Sequence, residues 1–151
     1  MKHNVLDAET SHQLAQRASK LTADHRALWG KMTVTEMLLH CNLCNTQILT
    51  EGRKPGDRTT VKQFALRIVA LYVAGKFTKN RPTDHRHNAQ GHAPQSQFQV
   101  QQAAFINLVG EFPKQTAALT LTHPAFGNIS TREWGIAAYK HMDHHLRQFG
   151  V

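Results

Sequence analysis

Residues 130–151 read STREWGIAAYKHMDHHLRQFGV, and this stretch decides how the rest of the chain is interpreted. Ser130 and Glu133 have the spacing of a capping box, in which each side chain bonds the other residue's backbone N–H at the start of a helix. Gly150 is a typical residue just beyond a helix end. A helix is therefore predicted from Ser130 to about Phe149.

The predicted terminal helix carries three histidines. A helix turns by about 100° per residue, so His141 and His145 project from nearly the same side, one turn apart. This HxxxH spacing allows two imidazoles to bind one metal ion, and His144 is predicted to lie outside the ligand set. Solvated histidines near a helix C-terminus are the alternative, because they complement the helix dipole. Trp134 and Ala137 share the stripe of His141 and His145, which favours inward-facing imidazoles.

The remainder of the chain also predicts helices. Thr33 and Glu36 form a second capping box before an apolar pattern that stops near Gly52. No stretch alternates with the period of two that marks a strand. The predicted helices before the terminal one span about residues 7–24, 34–50, 58–76 and 94–121, with Gly110 and Pro113 marking a kink or break in the last of these. The fold class is therefore all-α, as a bundle with one or two long connections.

The second predicted helix offers a third ligand. His40 lies beside the apolar stripe of that helix, so its imidazole is expected at the interior or its rim. In a bundle, two facing helices can bring His40 to His141 and His145. Three neutral imidazoles and one open position form a catalytic zinc arrangement. Cys44 lies one turn after His40 and is an alternative fourth ligand that would close the site.

Composition fits one domain over residues 1–151, with 40% hydrophobic residues and a net charge of +8. The N-terminus lacks the apolar segment of a signal peptide, and the longest apolar run, Phe64–Gly75, is too short to span a bilayer. Cys41 and Cys44 are awkward disulfide partners on one helix, which favours a reducing compartment. A cytoplasmic protein without a membrane span is expected.

Positive charge is concentrated in one interval. Without a helix-turn-helix, zinc-finger or RNP-like pattern, no specific nucleic-acid partner is expected. A solvated face is the simplest interpretation, and steering of an anionic substrate is the functional one. The cations are Arg53, Lys54, Arg58, Lys62, Arg67, Lys76, Lys79, Arg81 and Arg86, against Asp57 and Asp84.

Two motifs resemble a known superfamily. Residues 29–41 read WGKMTVTEMLLHC, and the chain later carries HPAFG and the ending KHMDHHLRQFG. This combination is similar to the DinB/YfiT-like superfamily, within it to an uncharacterised bacterial branch that shares the HPxFG…KHxDHHLRQFG terminus. Residues 52–95 carry little that matches. The resemblance implies a four-helix bundle with a long crossover connection and an extra short helix, commonly as a homodimer.

The resemblance also implies a site and a range of activities. One histidine of the second helix and an HxxxH pair of a late helix bind the metal, which places the ligands at His40, His141 and His145, with zinc or nickel as the metal. Relatives are metal-dependent hydrolases or transferases that use thiols such as bacillithiol, mycothiol or glutathione-like compounds. A small-molecule substrate, such as an anionic thiol, is therefore expected. A metal-binding or stress-related protein without catalysis is the alternative.

The other residues that could take part in binding or catalysis give weaker signals. Cys41 and Cys44 have CxxC spacing without the βαβ context of a redox motif, so packing is the better interpretation. His85, His87 and His92 lie in a polar stretch and are expected to be solvated. Glu36 is expected to cap its helix and Asp143 to lie on the face opposite the metal pair, so no general base is identified.

Overall fold

A computed structural model describes residues 3–79 and 87–151 of the chain, and these residues are mostly helical. The α-helices are α1 (Ala8–Ser19), α2 (Val34–Thr50), α3 (Val61–Ile68), α4 (Phe98–Glu111) and α5 (Thr131–Gln148). A π-helical turn, Val69–Val73, extends α3, and short 3-10 turns, Gln95–Gln97 and Phe112–Lys114, flank α4. Two-residue strands, β1 (Thr122–His123) and β2 (Gly127–Asn128), pair antiparallel.

Four of the helices enclose the core. Helix α4 contacts both α1 and α2, and α5 contacts the same two helices. Fully buried side chains from all four meet in the interior, including Leu14, Met37, Phe105 and Leu146. No residue of α3 is fully buried, and its half-buried Leu66 packs against the edge of this core. The all-α prediction is confirmed apart from the small hairpin, which is too short to produce a period-two pattern.

Capping explains where the helices begin. The capping boxes predicted at Thr33 and at Ser130 are both confirmed. A third one joins Thr60 to Gln63, so α3 begins at Val61 rather than at the predicted position 58. In each box, reciprocal bonds satisfy backbone N–H groups that a helix start would otherwise leave without a partner.

The first helix is shorter than predicted. We expected it to reach about Asp24, but α1 ends at Ser19. The side-chain amide of Gln102, from α4, donates to the carbonyl oxygens of Ala18 and Leu21. These bonds satisfy carbonyls at the helix end, and because they come from another helix, the local sequence could not reveal them.

The predicted helix over residues 94–121 was wrong in its second half. Helix α4 ends at Glu111, and Pro113 follows within a 3-10 turn. Proline has no N–H to continue the ladder and its ring clashes with the preceding turn, so the expected break occurs there. The chain then runs without helix to β1, and Trp134 holds it by donating its indole N–H to the carbonyl of Leu121.

The HPAFG motif forms the hairpin. The ring nitrogen Nδ1 of His123 accepts from the backbone N–H groups of Ala125 and Phe126, which tightens the turn. Gly127 has φ of +70°, and a Cβ there would lie 2.6 Å from the Thr59 hydroxyl oxygen. Glycine is therefore required at this position. In the described parts of the chain, no helix combines the length and apolarity needed to cross a bilayer.

Candidate metal centre

Three histidine rings meet between α2 and α5. The ring centroid of His40 lies 4.9 Å from that of His141 and 4.9 Å from that of His145, and the last two are 4.8 Å apart. The Nε2 atoms of His40 and His141 are 2.9 Å apart. The structure thus brings together the three side chains that the sequence selects, and their role as ligands stays a prediction.

The orientation of His40 is fixed by a loop. Its Nδ1 lies 2.8 Å from the carbonyl oxygen of His87, which can only accept, so Nδ1 carries the proton. The neutral ring then presents the Nε2 lone pair to His141. Glu36 anchors the loop by accepting from the Gly91 N–H while it also caps α2 through Thr33. One carboxylate therefore positions both the helix that carries His40 and the loop that orients its ring.

The orientation of His145 is fixed by an amide. Gln148 donates its Nε2–H to the Trp29 carbonyl oxygen at 2.7 Å, which turns its Oε1 towards His145. Since Oε1 only accepts, the His145 Nδ1 that lies 2.9 Å away carries the proton, and Nε2 keeps its lone pair. Gly30 allows the approach, because a Cβ there would lie 2.6 Å from the Gln148 amide nitrogen.

These two bonds match the environment of metal-binding histidines. Such histidines donate the distal ring N–H to a carbonyl or carboxylate, which fixes the tautomer and orientation. His40 and His145 both do so without metal. Two nitrogens on one tetrahedral zinc ion lie about 3.4 Å apart, so His40 and His141 would need to separate by about 0.5 Å. The Nε2 atoms of His40 and His141 would therefore fit one divalent ion after a small outward shift, and the ring of His145 lies beside them.

Burial keeps the cluster neutral. It lowers the pKa of His40, against a smaller opposing effect of the hydrogen bond to His87. Burial also lowers the pKa of His141 well below 6.5, and His145 and His40 lower it further because like charges repel. For His145, burial and the neighbouring His40 lower the pKa to about 3. Neutral imidazole is the form that binds metal, so the site is ready for a cation at neutral pH.

Cys44 belongs to the same cluster. Its Sγ lies 4.0 Å from His40 Nε2, and ligand atoms of His40, Cys44 and His141 all lie within 4.8 Å of one another. Cys41, one turn earlier in sequence spacing, is fully buried against Met37. Of the two cysteines, only Cys44 faces the histidines, so core packing is confirmed for Cys41, and the half-buried Cys44 remains the alternative fourth ligand.

The other histidines that the sequence analysis considered lie in different surroundings. His144 packs its ring edge-on against Trp29, at a centroid distance of 5.7 Å. His92 is exposed, as expected, and His85 lies outside the described residues. The expectation that His87 is solvated was only partly right, because it is half-buried with its ring 6.3 Å from that of His40, and its backbone carbonyl orients His40. A backbone carbonyl carries no residue-type signal, so sequence reasoning had no means of finding it.

Charged side chains near the cluster are mostly paired. Asp143 faces away from the cluster and bonds Arg17 and Arg147, which makes it a link between α1 and α5. Among the described cations of the basic interval, Arg67 pairs with Glu133 and Lys79 lies over the Trp29 ring at 4.1 Å. The other described cations of this interval are exposed, namely Arg53, Lys54, Arg58, Lys62 and Lys76, while Arg81 and Arg86 lie outside the described residues.

Comparisons with known proteins give one match. Neither the search of curated proteins nor that of solved structures found a similar chain. A family sequence profile matches nearly the whole length. The chain belongs to the DUF1569 family, described as proteins of unknown function, over residues 2–150.

Proposed function

We propose that this chain is a DinB/YfiT-like four-helix bundle with a divalent metal centre, and that the centre serves a hydrolase or a thiol transferase. His40, His141 and His145 would hold the ion, with zinc or nickel as the metal. The observation that carries the proposal is the pair of donor bonds that fix His40 and His145 in the metal-binding tautomer. Solvated histidines would have no reason to be oriented in this way.

The chain's own residues prepare the centre. Without metal, the short contact between His40 and His141 requires a proton, which sits on His141 Nε2 because His40 already carries its proton on Nδ1. That proton must move to His141 Nδ1, which keeps the ring neutral, before its Nε2 can offer a lone pair to an ion beside His40. When bound, a divalent metal would supply Lewis acidity, which makes water or a thiol acidic enough to react near neutral pH.

A non-catalytic centre is the second candidate, and the position of Cys44 favours it. A thiolate with three imidazoles would complete a tetrahedral zinc site and leave no position for a substrate. The absence of an identified general base is compatible with this candidate. Glu36 is occupied by Thr33 and Gly91, and Asp143 by two arginines.

Metal analysis of the purified protein tests the proposal. We expect about one divalent ion per chain, lost in His40→Ala, His141→Ala and His145→Ala. The matched control is His144→Ala, which removes the adjacent imidazole of the same helix and should keep the metal. Retention of full metal by His141→Ala, or a protein that binds none when zinc and nickel are supplied, would contradict the proposal.

Cobalt substitution separates the two candidates. An open three-histidine site has no sulfur ligand, so the Co²⁺ protein should lack the near-ultraviolet charge-transfer band that a thiolate produces. A closed site should show this band and lose it in Cys44→Ser but not in Cys41→Ser. If chelation also unfolds the protein, the centre is structural. We propose further that the protein is cytoplasmic and that it forms a homodimer. Sedimentation measurements would test the dimer.

A further inference from the structure

The outer surface of α3 and its π turn is apolar. Val61 and Val73, at the two ends, are 87% and 74% exposed, and Val69 is 53% exposed. Monomeric proteins seldom expose a continuous apolar patch of this kind without a function. The residues that form this surface, here called the outer face, are Val61, Phe64, Ile68, Val69, Tyr72 and Val73.

The polar side of the same helix faces the protein. Gln63 donates to the Pro124 carbonyl oxygen. Arg67 donates to the Asn128 carbonyl oxygen and pairs with Glu133. On the same side, Leu66 packs against the core and Leu71 of the π turn is fully buried. A surface helix normally exposes a polar side, whereas this segment buries part of its apolar surface and exposes a second apolar stripe, the outer face.

The outer face is held in place by α5. Lys140 is buried and donates its Nζ–H groups to the carbonyl oxygens of Ala70 and Ala74, at the two ends of the π turn. Tyr72 donates its hydroxyl to Glu133. Because these bonds fix the segment before any partner arrives, binding costs little conformational entropy.

Cations surround the outer face. Residues 58–79 contain no aspartate or glutamate, and Arg67 is the cation there that pairs with an acidic side chain from elsewhere in the fold. Lysine and arginine beside an exposed apolar stripe, together with aromatic residues, are the composition of helices that lie on anionic membranes. Besides Lys79, which lies over the Trp29 ring, the exposed cations are Arg58, Lys62 and Lys76.

We propose that the outer face docks on an anionic lipid bilayer, with its apolar side chains in the headgroup region and the flanking cations on lipid phosphates. This proposal does not depend on the metal centre. A second copy of the chain fits less well, because a two-fold contact places the same cationic surface against itself.

Vesicle sedimentation of the full chain tests the proposal. The vesicles are phosphatidylcholine alone and an equal mixture of phosphatidylcholine and phosphatidylglycerol. We expect binding to the mixed vesicles that falls as salt is raised. Val73→Glu places a charge in the stripe and should lower the partition coefficient by about tenfold or more. The matched control is Val100→Glu on α4, where the valine is 66% exposed outside the outer face, and its partition should equal that of the wild type.

Three outcomes would overturn the proposal. One is the absence of binding to the mixed vesicles at low salt. Another is equal binding of Val73→Glu and Val100→Glu, which would mean that net charge alone drives association. The third is a wild-type dimer in sedimentation velocity that Val73→Glu converts to a monomer without any vesicle binding, because the occupant would then be a second copy. Circular dichroism confirms that both variants are folded.

Discussion

The neutral histidine cluster should make the metal-free protein sensitive to mild acid. In the folded state the pKa of His145 is about 3, whereas in the unfolded chain it returns to about 6.5. Between these values the unfolded chain binds more protons, so the free energy of unfolding falls as the pH falls. Above about pH 7 His145 is neutral in both states and leaves the stability unchanged, and its destabilising effect grows as the pH falls below about 6.5.

The magnitude follows from the two pKa values. At pH 5, His145 remains neutral in the folded protein, whereas its side chain is protonated in about 97% of unfolded chains. The free energy of unfolding is therefore about 2 kcal/mol lower at pH 5 than at pH 8. His40 and His141 act in the same direction, because burial lowers the pKa of each. A loss of at least about 2 kcal/mol is a large fraction of the stability of an ordinary domain.

Urea denaturation of chelator-treated protein, followed by circular dichroism at pH 8 and pH 5, measures the effect. His145→Gln cannot take up the proton, so its stability should change by about 2 kcal/mol less than that of the wild type between the two pH values. The exposed His92 supplies the control variant His92→Asn, which should follow the wild type within about 0.5 kcal/mol. Equal pH dependence of His145→Gln and wild type would refute the reasoning.

Three substitutions test the parts that hold the site. Gln148→Leu removes the acceptor of His145 Nδ1–H and should lower metal affinity 10- to 100-fold, measured by competition with a chelating dye. Gly30→Ala forces a Cβ onto the Gln148 amide at φ of +82°, so calorimetry should show a destabilisation of about 1 kcal/mol or more together with weaker metal binding. Ser130→Ala removes the cap of α5 and should cost about 1 kcal/mol in urea denaturation without changing metal affinity. Unchanged values in any of the three would contradict the corresponding contact.

Local signals predicted the helices that carry the candidate site. The capping boxes at Thr33 and Ser130 are short-range patterns, and they fix the starts of α2 and α5. Helical periodicity then placed His40, His141 and His145 on sides that meet. These inferences succeeded because both the cap and the helix face depend on residues within four positions of one another.

Features set by distant contacts were not predictable. The end of α1 depends on Gln102, which lies more than 80 residues away. The orientation of His40 depends on a backbone carbonyl, and that of His145 on an amide anchored by Trp29. The exposure of the outer face of α3 was also not predictable, because an amphipathic pattern shows that a helix has an apolar side but not whether the fold covers it.

Burying the histidine cluster lowers the stability of the fold, so a function for it is expected. His40, His141 and Cys44 bring polar ligand atoms together between α2 and α5, and burial holds the histidines neutral at a cost that grows in mild acid. Apolar side chains of similar size would pack there without this cost. Violations of local stability rules of this kind are characteristic of functional sites. A cation between His40 and His141, with the His141 proton moved to Nδ1, would accept the Nε2 lone pairs of both rings, which is the physical reason to expect a metal there.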